Sequence, residues 1–284
     1  MADKLRIASC QFPVTADVAA NARYLARFLQ RAADAGADLL HTSEACLSGY
    51  AGIDYGSFVG FDWDGLRRET ARLRELAAAR RVWLVLGSAH FLDATTKPTN
   101  CLYLIGPDGR IVDRYDKCMC TKGDQNHYAA GQRLVTHTLK EVTFGLAICY
   151  DVCYPQLYAA YRELGTKLML HSFYNAGHKG PSCLEVLNTR EVPTRCADNQ
   201  MWAVANNSCR RHSNWASFVA RPDATIAQQL RQHQPGMLVH EFPDGLAPGG
   251  WLHNFLPMKV APGESLHFGE PSQHPRQLDG QAEP

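Results

Sequence analysis

The sequence predicts a single α/β domain with mixed strand connections, and three observations predict it. Segments in which apolar residues alternate recur between segments with helical spacing along most of the chain. The turn Gly106-Pro107-Asp108-Gly109 joins two of the strand-like segments as a hairpin, so the strands are not all parallel. The chain has 284 residues, 45% hydrophobic and 20% charged, which is enough to bury one large core and keep a charged surface.

Leu5-Arg6-Ile7-Ala8-Ser9-Cys10 reads as the first strand. Asp17 supplies a capping side chain for a helix that runs through Ala35 and stops at Gly36. Ala37 to Thr42 is a short strand, Asp64 to Arg80 a helix dense in Arg and Ala, and Arg81 to His90 a strand. Asn100 to Ile105 and Ile111 to Tyr115 flank the hairpin turn. From Val142, the large residues Val142, Phe144, Leu146 and Ile148 alternate with Thr143, Gly145, Ala147 and Cys149, a strand with one small-residue face.

Pro155 suits the first turn of a helix over Gln156 to Leu164, ended by Gly165. Thr166 to Leu170 is a strand, and Pro181 to Asn199 is helical with an interruption expected near Pro193. Gln200 to Asn206 and Ala216 to Ala220 complete the strands, before a turn at Arg221-Pro222-Asp223-Ala224. From about residue 261 the chain is rich in Pro, Gly, Gln and His. The expected division is therefore a domain over 1–260 and a polar arm or tail over 261–284.

Charge and composition exclude several classes. Lys plus Arg number 29 against 28 Asp plus Glu, and no basic stripe with interleaved aromatics argues for nucleic acid. The longest apolar runs are strand-sized, so no membrane span is expected. Met1-Ala2-Asp3-Lys4-Leu5-Arg6 carries no apolar stretch of the signal-peptide kind. Ten cysteines between Cys10 and Cys209, several inside apolar runs, suit a reduced, cytoplasmic protein rather than a disulfide framework. Gly-x-Ser-x-Gly, phosphate-loop, Gly-x-Gly-x-x-Gly and His-Glu-x-x-His signatures are all missing.

Three strand ends carry chemistry. Cys149 closes the alternating strand just ahead of a helix start. As a nucleophile it needs a lowered pKa or an adjacent base, and its bland alternative is a small buried hydrophobe. Glu44, in His41-Thr42-Ser43-Glu44-Ala45, ends a second strand, where a partly buried carboxylate serves as a general base and a loop carboxylate merely faces water. Lys117, in Tyr115-Asp116-Lys117-Cys118, ends the strand after the hairpin, where an ammonium stabilises an oxyanion or is simply solvated. Nucleophile, base and anion stabiliser together are what acyl transfer needs.

These segments resemble the nitrilase superfamily, the carbon–nitrogen hydrolases. Glu44-Ala45-Cys46-Leu47-Ser48-Gly49-Tyr50 keeps that family's Glu-x4-Gly-Tyr spacing, Tyr115-Asp116-Lys117 follows a Gly-containing hairpin, and Ile148-Cys149-Tyr150-Asp151 precedes Tyr154-Pro155. The resemblance implies a four-layer α-β-β-α sandwich with mixed sheets, assembled as a homodimer or higher homo-oligomer. It implies that Cys149 is acylated by a small amide or carbamoyl substrate, with Glu44 moving protons and Lys117 and the Tyr150 N–H holding the oxyanion. It implies no metal and no organic cofactor.

The same resemblance places a second Glu several residues beyond Lys117, where this chain reads Gly123-Asp124-Gln125-Asn126, leaving Asp124 or Gln125 to stand in. Tyr150 after the nucleophile is similar to amidase-type members, and Tyr50, Tyr154 and the loop Ser172-Phe173-Tyr174-Asn175-Ala176-Gly177-His178, Tyr174 by name, are candidates for the pocket wall. Three alternatives remain at this level. They are nitrile hydrolysis by the same thiol, a catalytically inactive binding protein, and a metal site built from Cys118, Cys120, His127, Cys149 and Cys153.

Overall fold

Alternating apolar residues build two six-stranded sheets, each covered on its outer face by a helix pair. The computed structural model describes residues 4–91, 93, 95–176 and 183–242, with residues 183–185 and 187 described by their backbone alone. In chain order the elements are β1 (Arg6–Gln11), α1 (Val18–Asp34), β2 (Leu39–His41), α2 (Trp63–Arg80), β3 (Trp83–His90), β4 (Thr99–Ile105) and β5 (Ile111–Asp116). These are followed by β6 (Thr136–Leu139), β7 (Val142–Ile148), α3 (Pro155–Glu163), β8 (Leu168–Ser172), α4 (Cys183–Asn199), β9 (Trp202–Asn206), β10 (Phe218–Ala220), β11 (Ile226–Gln229) and β12 (Gly236–Glu241).

The first sheet runs β12-β1-β2-β3-β4-β5 and the second β11-β10-β9-β8-β7-β6. Each has a parallel centre, β1-β2-β3 in one and β7-β8-β9 in the other, with antiparallel strands outside it. Ile7, Leu39, Val85 and Leu104 of the first sheet meet Phe144, Leu146, Leu170 and Val204 of the second in a common core. Leu25, Leu29, Leu73 and Ala77 seal α1 and α2 over the first sheet, while Leu157, Tyr161, Val192 and Cys196 seal α3 and α4 over the second. The result is the four-layer α-β-β-α sandwich expected, and burial of these side chains is its main stabilising term.

Local chemistry sets the boundaries. Asp17 Oδ1 accepts from the Ala20 N–H at 2.9 Å and starts α1, and Asp62 does the same for α2 through the Gly65 N–H at 2.7 Å. One expectation is corrected: α4 continues through Pro193 instead of breaking there. Buried Val192 and Cys196, on either side of the proline, hold the helix on the sheet despite the missing N–H.

Three strands escape the sequence patterns. β6 joins β7 through Lys140 and Glu141, which take φ 48° and 64° without the Asn-Gly or Asp-Gly signal that normally marks such a turn. β11, with the sequence IAQQ, is a half-exposed edge with little apolar alternation, and β12 is recognised only through its antiparallel pairing with β1. The described residues all belong to the unit Met1–His253, and the polar arm expected over 261–284 lies outside them. Among the described residues no helix is long and apolar enough to cross a membrane.

Candidate active site

Parallel strands of both sheets end on one side of the common core, and the polar residues there face one another. Glu44 follows β2 in a turn packed against β3, with Ala45 at φ 50°. Gly87 makes room for that turn, because a Cβ on it would lie 2.0 Å from the Ser43 carbonyl oxygen. The Glu44 N–H donates to the Phe173 carbonyl at 3.3 Å, tying the turn to the end of β8 in the other sheet.

Lys117 comes immediately after β5, and its N–H donates to the Asn100 carbonyl at 2.8 Å. Its Nζ donates to Glu44 Oε1 at 2.8 Å and to Asp124 Oδ2 at 2.9 Å, and reaches Tyr50 OH at 3.5 Å. Tyr50 OH in turn donates to Asp124 Oδ1. Asn100 Nδ2 donates to Glu44 Oε1 at 2.8 Å, whereas the buried Glu44 Oε2 has no hydrogen-bond partner. One carboxylate oxygen is therefore fixed and the other is left available.

Cys149 opens a 3₁₀ turn, Cys149–Cys153, directly after β7, and has φ 45°. A non-glycine residue in that left-handed region is held there by its surroundings. Asp151 does part of the holding: its Oδ2 accepts from the Ile148 N–H at 2.8 Å and from Tyr115 OH at 2.7 Å, and its Oδ1 from the Met119 N–H at 2.8 Å. One carboxylate thus ties the end of β7 to β5 and to the loop after Lys117. Asn175 Nδ2 stands 3.6 Å from Cys149 Sγ, and its Oδ1 accepts from Asn188 Nδ2 at 2.5 Å and Trp215 Nε1 at 3.0 Å, which fixes the amide orientation.

Electrostatics follow from burial of two carboxylates with one ammonium. Burial raises the Glu44 carboxyl above the usual range, although Lys117 pulls it down. The surrounding negative groups, Glu44 foremost, outweigh burial at Lys117 and keep its ammonium protonated. At Asp124 burial is more than offset by Lys117 and by the Tyr50 hydroxyl, so this carboxyl sits below its ordinary value. Burial, then the Glu44 charge, push the Cys149 thiol well up, and Lys117 only partly counters them. The resting sulfur is a thiol, so a base must take its proton at the moment of attack.

The structure brings Glu44, Lys117, Asp124 and Tyr50 into one hydrogen-bonded cluster whose charges act on Cys149. It does not bring Gln125 there: that side chain is exposed, with Nε2 donating to the Cys120 carbonyl at 3.3 Å. The Tyr174 ring packs on Tyr50 at 5.2 Å, and its hydroxyl joins Asp54 and Arg210. The Tyr150 ring packs edge-on against the exposed Tyr154 ring at 5.5 Å, and no hydrogen bond joins either side chain to the cluster among the described residues. Gly177 and His178 lie outside the described residues. A cavity of about 270 Å³, lined by Tyr50, Gly52, Thr121, Asp124 and His127, opens beside the cluster.

The sequence gives no role to Asn100 or Asp151, and reaches Asn175 only as part of the loop Ser172 to His178. Asn100 did leave a signal, a lone amide at the head of the apolar run Cys101-Leu102-Tyr103-Leu104. The thiols considered for a metal diverge: Cys118 Sγ faces the Asp116 carbonyl, Cys120 Sγ the Lys117 carbonyl and Cys153 Sγ the Glu191 carboxylate. Among the described residues no group of three or more His, Cys, Asp or Glu is placed to hold a metal ion.

Comparison with known proteins gives a consistent pattern. The family model described as carbon-nitrogen hydrolase matches residues 6–247. The deaminated glutathione amidase of Homo sapiens is 26% identical over 84% of this chain and 82% of its own length. The omega-amidase NIT2 of Homo sapiens is 25% identical over 78% of this chain and 80% of its own length. Among solved structures, an amidase from Nesterenkonia sp. superposes with a TM-score of 0.75 at 22% identity, over 90% of this chain and 94% of that one. A variant of the Nesterenkonia amidase, described as showing covalent addition of the acetamide moiety of fluoroacetamide at its active site cysteine, also gives 0.75, at 21% identity over 89% and 94%.

Proposed function

Because this chain belongs to the carbon-nitrogen hydrolase family, within the nitrilase superfamily, we propose that it hydrolyses a small amide through an acyl-enzyme on Cys149, with Glu44 as base and Lys117 as oxyanion stabiliser. The observation that carries this reading is the divided role of the Glu44 carboxylate. Oε1 is fixed by Lys117 and Asn100, while Oε2 is buried without a partner. An unpartnered buried carboxylate oxygen is unfavourable unless something else uses it, and proton transfer from the neighbouring thiol is that use.

The reaction then runs in two halves. As Cys149 Sγ bonds to the amide carbon, its proton passes to Glu44 and the carbonyl oxygen becomes an oxyanion held by Lys117 Nζ and the Tyr150 N–H. Glu44 returns the proton to the nitrogen, the C–N bond breaks, and ammonia or an amine leaves a thioester. Water adds to the thioester with Glu44 as base, and the carboxylic acid and the thiol are released. Asp124, bonded to Lys117 and Tyr50, keeps the ammonium charged and aimed. The curated relatives named for amidase activity support an amide rather than a nitrile.

Hydrolysis of a panel of aliphatic amides and nitriles tests the proposal, measured as ammonia released by the wild type and by Cys149→Ala. Release from amides by the wild type alone is expected. Equal release by folded Cys149→Ala overturns the assignment of the nucleophile, and release only from nitriles overturns the substrate class.

A further inference from the structure

Beside Cys149, the second sheet buries a histidine that the proposed reaction does not use. His171 lies on β8, in register with Ala147 of β7, and is fully buried. Its Nε2 is 3.2 Å from the Cys149 carbonyl oxygen and its Nδ1 is 2.6 Å from Tyr158 OH. A carbonyl can only accept, so Nε2 carries the hydrogen, and the Tyr158 hydroxyl donates to Nδ1. The imidazole stacks on Phe173 with ring centroids 4.3 Å apart and planes 18° apart, and on Tyr158 at 5.8 Å and 28°. Its orientation is set by Tyr158 and Phe173, both as buried as itself, and its tautomer by Tyr158 together with the carbonyl of half-buried Cys149.

We propose that His171, backed by Tyr158, is a positioning residue that fixes the peptide unit between Cys149 and Tyr150 so that the Tyr150 N–H faces the substrate oxyanion. This rests on the reading of Cys149 as the nucleophile. The peptide unit is planar and trans, so its C=O and N–H point in opposite directions. Pinning the carbonyl oxygen to His171 turns the N–H to the opposite side. Turning this peptide would change ψ of Cys149 and φ of Tyr150, and the hydrogen bond from His171 to its carbonyl oxygen opposes that rotation. Burial holds His171 neutral, its pKa lowered to about 3, so the donor and acceptor roles persist across the neutral pH range.

Two reactions of the same sulfur separate positioning from general damage. Hydrolysis of aliphatic amides, acetamide to butyramide, builds an oxyanion; alkylation by iodoacetamide at carbon bearing iodide does not. In His171→Leu the acylation rate is expected to fall about 100-fold with KM little changed, while alkylation of Cys149, mapped by peptide mass spectrometry, stays within about 3-fold of wild type. His171→Gln, which keeps a donor, is expected to recover part of the loss, and Tyr158→Phe to show a smaller loss of the same kind. Equal falls in acylation and alkylation, or no fall in either, overturn this proposal alone. Hydrolysis retained by Cys149→Ala overturns the nucleophile reading, and this proposal with it. The wild type gives an independent readout: ¹⁵N NMR is expected to find His171 as the neutral Nε2–H tautomer, and the Nδ1–H tautomer overturns the proposal.

Discussion

Lys117 Nζ lies 2.8 Å from Glu44 Oε1, and both side chains are completely shielded from solvent. The same ammonium also bonds Asp124, so one cation neutralises parts of two carboxylates from different loops. Such a cluster is weak evidence for stability and strong evidence for a constrained site, because each member depends on the others to remain charged in the interior.

Removing Lys117 is therefore expected to damage both folding and rate. Lys117→Met leaves Glu44 and Asp124 facing each other without a cation, and breaking a buried pair in this way costs about 3–5 kcal/mol. Urea unfolding should register that loss, and Glu44→Gln in the same chain should restore part of it. Additive losses in the double variant would contradict the coupling.

The pH profile of kcat/KM should rise through an acid limb whose midpoint lies above the ordinary carboxylate value, because the base must be ionised and burial raises the Glu44 carboxyl. The Asp124 charge contributes to that rise. Asp124→Asn should accordingly lower the midpoint while reducing the maximum rate about 10- to 100-fold, through the loosened Lys117. An upward movement of the midpoint would contradict the assignment of the limb to Glu44.

Gly87→Ala should disable the site from a distance. The added methyl meets the Ser43 carbonyl oxygen at 2.0 Å, so the turn carrying Glu44 must move. Overpacking of this kind typically costs about 1–3 kcal/mol. Loss of activity beyond what the fall in Tm explains is the expected signature, and a fully active Gly87→Ala protein would contradict the packing argument.

Acid should destabilise the fold well above the carboxylate range. His41 and His171 are buried and neutral, each lowered from 6.5 to about 3. Between those values the unfolded chain binds more protons than the folded one, so stability rises with pH and is lost as pH falls from about 6.5 towards about 3. Urea midpoints across that window test this: the slope should shrink in His41→Gln, and an unchanged slope would remove His41 from the account.

How much of this was legible in the sequence depended on whether the signal was local. The alternation from Val142 to Ile148 and the cap at Asp17 act over a few residues, and both predicted their elements well. Glu44, Lys117 and Cys149 were readable as strand ends, but the spacing of three distant segments was needed to join them. The bonds that organise the site were hidden because they are tertiary. Asp151 reaches Met119, Asn100 reaches Glu44, and Asn175 is locked by Trp215. β12 could not be seen for the same reason, since its place is fixed by β1 at the far end of the chain.

Trapping the covalent intermediate is the most direct test of the central claim. Wild-type protein quenched in acid during turnover of an aliphatic amide, then digested and mapped by mass spectrometry, should carry the acyl group on Cys149, with no adduct accumulating in Glu44→Gln. An acyl group on another residue, or undiminished Cys149 acylation in Glu44→Gln, would contradict it.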